Sequence, residues 1–205
     1  SFTGSTRAGI AIQTAAASTV KRVALELGGK SANIILPDAD LPKATSVSVA
    51  MCMGNSGQSC NAPTRLLVPR ERLDEVNVIA TAAAERLTTG MPANDPKLGP
   101  IANLAQYGRV KALIAQAESE GATLLTGGAD TPVELTPGYF IRPTLFSHVT
   151  MDMAIAREEV FGPVLAIIGY DDVGQAIAIA NDSEYGLSGY VWGSDLAECR
   201  RVAAQ

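Results

Sequence analysis

Three stretches of this chain are apolar at consecutive positions rather than alternate ones: Ile34-Ile35-Leu36, Leu66-Leu67-Val68 and the run "VLAIIGY" from Val164. Successive side chains of a strand point to opposite faces, so a strand wetted on one face alternates apolar and polar residues. Short runs without alternation need cover on both faces, as in a parallel sheet held between helices. The segments between them read as helices. Residues 7–17 are Ala-rich, and residues 70–89 carry apolar Leu73, Val76, Ile79, Ala83 and Leu87 at helical spacing. Asp40 is placed to cap a helix that runs to about Gly54, with Pro42 in its first turn. Further helices are expected at 103–120, 172–181 and 195–204, and shorter strands in "KRVALELGG", "ATLLTGG" and "SGYVWG". The expected class is α/β: a layered, largely parallel open sheet with helices on both faces.

Composition narrows the function classes. The 205 residues are 47% hydrophobic and 18% charged, which fits a globular chain with a packed core. A net charge of −5 gives no electrostatic reason to expect nucleic acid or an anionic membrane surface as partner. No apolar run has the length of a membrane span. The three cysteines, Cys52, Cys60 and Cys199, are too far apart for a metal signature, so no metal is expected, and they form no disulfide framework. A cytoplasmic setting is expected. The chain opens like the tail of a strand and closes inside a helical pattern, so a fragment of a longer protein is expected.

Four places could carry chemistry. In "FTGSTRAG", Gly4 and Gly9 flank Ser5 between a strand end and a helix start, where backbone N–H groups can approach a phosphate. A plain capped turn reads equally well. Glu26 lies in "LELGG"; burial would raise its pKa toward a general base, whereas an outward-facing edge position would leave it an ordinary surface acid. Cys60 sits in "NSGQSCNAP", on a turn that can expose a thiolate and offer its own N–H to an oxyanion. Cys52, within a helical run, and Cys199, in the last helix, read as packing residues. In "REEVFGP", Glu159 and Phe161 could hold a ribose and flank a flat ring, or be a solvated acid before a buried aromatic.

Taken together, "FTGST", "LELGGKS", "GQSC" and "EEVFGP" stand in the order and approximate spacing of the aldehyde dehydrogenase superfamily, and "NDSEYGLSGYVW" is similar to it as well. The resemblance covers essentially the whole chain. It implies the end of a dinucleotide-binding domain in residues 1–28 and a nucleophile-bearing catalytic domain, truncated at its C-terminus, in 29–205. It implies NAD or NADP as cofactor, a small-molecule aldehyde as substrate and a homo-oligomer, dimer or tetramer, as the assembled state. By the same resemblance Cys60 is the nucleophile that forms a thiohemiacetal and then a thioester, and Glu26 is the base that activates the hydrolytic water. Gly4, Ser5 and Gly9 match the turn near the cofactor diphosphate. Leu27 and Gly28 match the segment beside the nicotinamide, Glu159 the ribose carboxylate and Phe161 the ring near it. The family's oxyanion asparagine falls upstream of this sequence, so residues 1–205 alone are expected to be inactive. Asn61, beside Cys60, is placed at the substrate pocket.

Rival readings make different demands. An acylating relative would hand the thioester to coenzyme A and would not need Glu26. A cysteine hydrolase would pair Cys60 with His148, the one histidine, with Gln58 as oxyanion donor and no nicotinamide. A descendant without activity would have no use for both Cys60 and Glu26.

Overall fold

The computed structural model describes residues 1–205. Two separate sheets organise them. A small parallel pair joins β1 (Phe2–Thr3) to β2 (Leu25–Glu26), with α1 (Thr6–Ala17) between them. The main sheet has six strands in the order β5-β6-β7-β4-β3-β8. These are β3 (Ala32–Ile35), β4 (Arg65–Pro69), β5 (Thr123–Thr126), β6 (Thr144–Ser147), β7 (Val164–Tyr170) and β8 (Gly189–Trp192). All neighbours pair in parallel except β5, which runs antiparallel along one edge. The expected α/β class, with a largely parallel open sheet, is what the chain adopts.

The consecutive apolar residues divide between two cores. Ile35, Leu66, Val68, Leu165 and Ile167 pack on one face with α2 (Leu41–Met53) and α3 (Leu73–Glu85). Ile34, Leu36, Leu67, Val164, Ala166 and Ile168 pack on the other with α4 (Leu104–Ser119), α5 (Ala154–Arg157), α6 (Val173–Asn181) and α7 (Leu196–Ala203). Each fully buried Leu or Ile contributes about 1.5–3 kcal/mol by leaving water, so a polar residue on either face of these strands would be destabilising. No residue before Ala32 belongs to either core. Gly9 is the only buried residue of α1.

Local signals set most boundaries. Asp40 accepts the Lys43 N–H at the start of α2, and Asn103 and Asp172 do the same for α4 and α6. The helix expected over 70–89 is shorter. Arg70–Arg72 forms a separate 3-10 turn after Pro69, and α3 spans 73–85. No helix is long and apolar enough to cross a membrane.

Candidate active site

Parallel strands share a direction, so the segments leading into them gather at one edge of the sheet. Ala32 pairs with Arg65, and Arg65 with Ala166, which sets β3, β4 and β7 level. Gly28–Ser31, Cys60–Thr64 and Glu159–Pro163 therefore stand together at the strands' N-terminal ends. Open α/β sheets usually bind ligands at the C-terminal ends. Here the C-terminal end of β2 runs straight into the N-terminal edge of the main sheet, bringing Glu26, Leu27 and Gly28 to the same place.

Glycines make the close contacts there. A side chain on Gly29 would collide with the Cys60 carbonyl, and one on Gly28 with the Glu159 carboxylate. The Gly29 N–H donates to Glu159 Oε1 at 3.1 Å. Leu27 packs against Gly9, whose N–H donates to the Ser5 carbonyl at the start of α1. Gly4 donates to the Glu26 carbonyl at 3.0 Å, tying the "FTGST" turn to β2. The sequence motifs thus converge in space: Gly4, Ser5, Gly9, Leu27 and Gly28 form a continuous path toward Glu159 and the Cys60 backbone.

The turn leading to Cys60 is held under strain. Asn55, Ser56 and Gly57 are all left-handed, with φ of 51°, 57° and 70°. For a non-glycine residue this costs about 1 kcal/mol or more, and it persists only where the surroundings fix it. Ser56 Oγ donates to the Gly99 carbonyl at 2.9 Å. The Gln58 amide donates to the Asn55 and Pro100 carbonyls and accepts the Ala102 N–H. Gly57 has no alternative residue, because a Cβ there would strike the Gly162 carbonyl. Gly57→Ala is expected to cost about 2–3 kcal/mol of stability and to loosen the Cys60 turn. A lowered urea midpoint for the variant, with faster alkylation of Cys60, would be the readout.

These same contacts remove the hydrolase reading. The Gln58 amide is committed to the Asn55 and Pro100 carbonyls and the Ala102 N–H and offers no free donor. His148 is exposed with φ of 54° and follows β6, leaving the sheet at its C-terminal edge. Cys60 precedes β4 at the N-terminal edge, so the two side chains are at opposite ends of the sheet.

Cys60 is half-buried with a free thiol, while Cys52 is fully buried and its thiol is pushed up to about 12 by desolvation. Asn61 is exposed, and its carbonyl accepts from the Ser188 and Tyr190 hydroxyls. Glu26 is exposed at the end of β2. The outward-facing alternative therefore describes its environment within residues 1–205. Glu159 is not a solvated acid. Burial raises its pKa, and the Gly29 N–H, Lys30 and Arg109 oppose that rise. Phe161 is half-buried with φ of 52°, on a turn whose carbonyls at Val160 and Phe161 accept from the Gln106 side chain. Arg109 also donates to the Glu159 carbonyl.

Sequence reasoning missed three residues. Gln106 fixes the "EEVFGP" turn from α4, with no local signal to mark it. Arg65 is 1% exposed and spends its guanidinium on the Lys30, Ile179 and Ala180 carbonyls, each at 2.9 Å. It thereby caps the end of α6 and anchors the loop that carries Gly28 and Gly29. Its place in the apolar run "TRLLVP" was the available clue. Lys30 is 2% exposed, and burial pulls its pKa down to about 7.

The residues present fit a dinucleotide. Ser5 caps α1, a 12-residue helix whose first two residues, Thr6 and Arg7, are exposed and offer N–H groups to a phosphate. Glu159 keeps Oε2 free of protein donors, facing the space that glycine at 28 leaves open.

The sequence model of the aldehyde dehydrogenase family matches residues 1–205. The chain is 56% identical over 206 aligned positions to a 3-succinoylsemialdehyde-pyridine dehydrogenase of a Pseudomonas species, covering 100% of this chain and 43% of that protein. A mutant of aldehyde dehydrogenase C from Pseudomonas syringae, crystallised with NAD+ and octanal, superposes with a TM-score of 0.97 at 51% identity, over 98% of this chain and 42% of the other. An aldehyde dehydrogenase of Mycobacterium tuberculosis in complex with NAD+ superposes with a TM-score of 0.96 at 45% identity, over 99% and 42%. The chain thus spans about 43% of the length of the curated relatives it matches. From the match along its whole length, the chain belongs to the aldehyde dehydrogenase family.

Proposed function

We propose that this chain carries the nucleophile of an aldehyde oxidation, with Cys60 as the attacking thiolate and Glu26 as the base for release of the acid. The observation that carries the reading is the convergence of Cys60, Gly29 and Glu159 at one edge of the sheet, where β2 delivers Glu26. We infer that residues 1–28 belong to a cofactor-binding unit and 29–205 to the nucleophile-bearing one. Their separate sheets, and the absence of residues before Ala32 from both cores, support that division.

The Cys60 sulfur would add to the aldehyde carbon, leaving the oxygen as an oxyanion beside the Cys60 N–H. Glu159 would hold a ribose, and Ser5 with the first turn of α1 a diphosphate. When bound, a nicotinamide dinucleotide supplies the hydride acceptor. Glu26 would then take a proton from water as it attacks the Cys60 thioester, releasing the carboxylic acid and the thiol. The exposure of Glu26 leaves its carboxylate open to that water. The chain alone is expected to turn over no aldehyde.

The test places residues 1–205 in the matching segment of the P. syringae enzyme. Nicotinamide reduction is followed with octanal, an aromatic aldehyde and a semialdehyde, with NAD and NADP separately. Turnover with one of the aldehydes supports the reading. A folded chimera that binds either cofactor but reduces neither would count against it.

A further inference from the structure

We propose, on the reading of Cys60 as the nucleophile, that Ser188 and Tyr190 are its positioning residues: from the entry of β8 their hydroxyls clamp the Asn61 carbonyl and so set where the Cys60 thiol stands. The backbone around Cys60 has few other ties. Upstream, Ser56 and Gln58 fix the turn to the Gly99, Pro100 and Ala102 backbone. From Ser59 to Thr64 the bonds are local: the Ala62 N–H donates to the Ser59 carbonyl and the Thr64 N–H to the Ala62 carbonyl. The ladder of β4 takes hold at Arg65, whose N–H donates to the Ser31 carbonyl at 3.2 Å. Between Gln58 and Thr64, the hydrogen bonds to any other element converge on one atom, the Asn61 carbonyl oxygen. It accepts the Tyr190 hydroxyl at 3.2 Å and the Ser188 hydroxyl at 3.3 Å. Asn61 follows Cys60 directly, so both bonds act one residue from the thiol.

The sheet explains why these two residues reach that oxygen. Ser188 and Tyr190 flank Gly189, and alternate residues of an extended segment share a face. Gly189 is level with Ala32 on β3, and Ala32 is level with Arg65 on β4. The segments ahead of β8, β3 and β4 therefore lie side by side. Ser31, 3% exposed, completes the link, with its Oγ 2.8 Å from Ser188 Oγ. A carbonyl can only accept, so Ser188 gives its one proton to Asn61, and Ser31 must give its own to Ser188. This relay couples the Gly28–Ser31 segment to the Cys60 turn, and each hydroxyl in such a chain strengthens the next. Neither Ser188 nor Tyr190 bonds to Glu159 or to α1. Their action on the reaction runs through the Asn61 backbone alone.

The test introduces Tyr190→Phe, Ser188→Ala and the double change into residues 1–205 of the P. syringae chimera. Steady-state rates are measured with octanal and NAD, and Cys60 alkylation by iodoacetamide is measured without either. Tyr190→Phe keeps the ring and removes only the donor. A hydrogen bond of this kind corresponds to about two- to tenfold in rate, so each single variant should lose roughly that much kcat and the double variant at least about tenfold. The KM for NAD should stay within about twofold. Cys60 in the double variant should be alkylated several times faster, because its turn is looser. Ser188→Thr, which restores a hydroxyl, should recover most of what Ser188→Ala loses. A wild-type chimera that binds cofactor but oxidises no aldehyde would count against the dehydrogenase reading alone, and the alkylation rates would then decide this proposal. Equal kcat and equal alkylation in wild type and double variant would overturn it, as would a loss carried wholly by a higher KM for NAD. Should the double variant fail to fold, Tyr190→Phe decides by the same two readouts.

Discussion

Cys60→Ala is expected to abolish aldehyde-dependent nicotinamide reduction in the chimera, by roughly a thousandfold or more. Removing the nucleophile removes the tetrahedral carbon from which hydride can leave, and positioning alone does not restore it. The fold should tolerate the change, because Cys60 is only half-buried and its thiol makes no hydrogen bond that holds the loop. The turn is fixed instead by Ser56 and Gln58, which stay in place. Cofactor binding should also persist, since Glu159 and the α1 turn are untouched. Loss of turnover with binding kept separates a chemical role from a structural one. Cys52→Ala is the informative companion. It empties a fully buried position and should lower stability while leaving turnover per folded molecule unchanged.

The second large effect concerns stability. Lys30→Met is expected to stabilise the chain at pH 7 by a few kcal/mol, with the advantage shrinking as pH rises. The folded-state pKa of Lys30, about 7, lies below the ordinary 10.5. Between those values the unfolded chain holds a proton that the folded chain lacks, so the wild type gains stability with rising pH, at about 1.4 kcal/mol per unit. Below pH 7 the penalty of a buried cation is complete. Met has similar length, fills the same space and carries no charge. Urea unfolding of both chains from pH 6 to 9 reads the difference. Curves that stay parallel across that range would show that Lys30 keeps its proton on folding.

Much of the main sheet was legible because its central strands break the alternation rule. Ile34-Ile35-Leu36 and Leu66-Leu67-Val68 have no polar face to offer water, and the structure covers both sides with helices. Caps at Asp40, Asn103 and Asp172 fixed helix starts for the same local reason. The helix expected from residue 70 begins later, because whether a polar triplet after Pro69 joins a helix depends on Arg70. Its guanidinium bonds Asp171 and the Gly169 carbonyl across the sheet edge.

The candidate site was legible in part. Cys60 and Glu159 stood out because their motifs recur together in one order, and the fold brings Cys60, Gly29 and Glu159 into contact. For Glu26 the sequence left burial and an outward-facing edge position both open; β2 is a two-residue strand on a small sheet and its side chain faces out. Lys30 and Arg65 were not singled out from the sequence. Nothing local to a Lys after two glycines marks it for burial, yet Lys30 is 2% exposed. The burial of a cation is decided by distant elements, which no local pattern reports.

The most direct measurement is rapid mixing of the Glu26→Gln chimera with aldehyde and NAD. If Glu26 is the deacylating base, one nicotinamide per Cys60 should be reduced in the first turnover, after which reduction should nearly stop. The thioester should then be recoverable on the Cys60 peptide. Steady turnover at the wild-type rate, or a burst that leaves no acyl group on Cys60, would contradict the assignment.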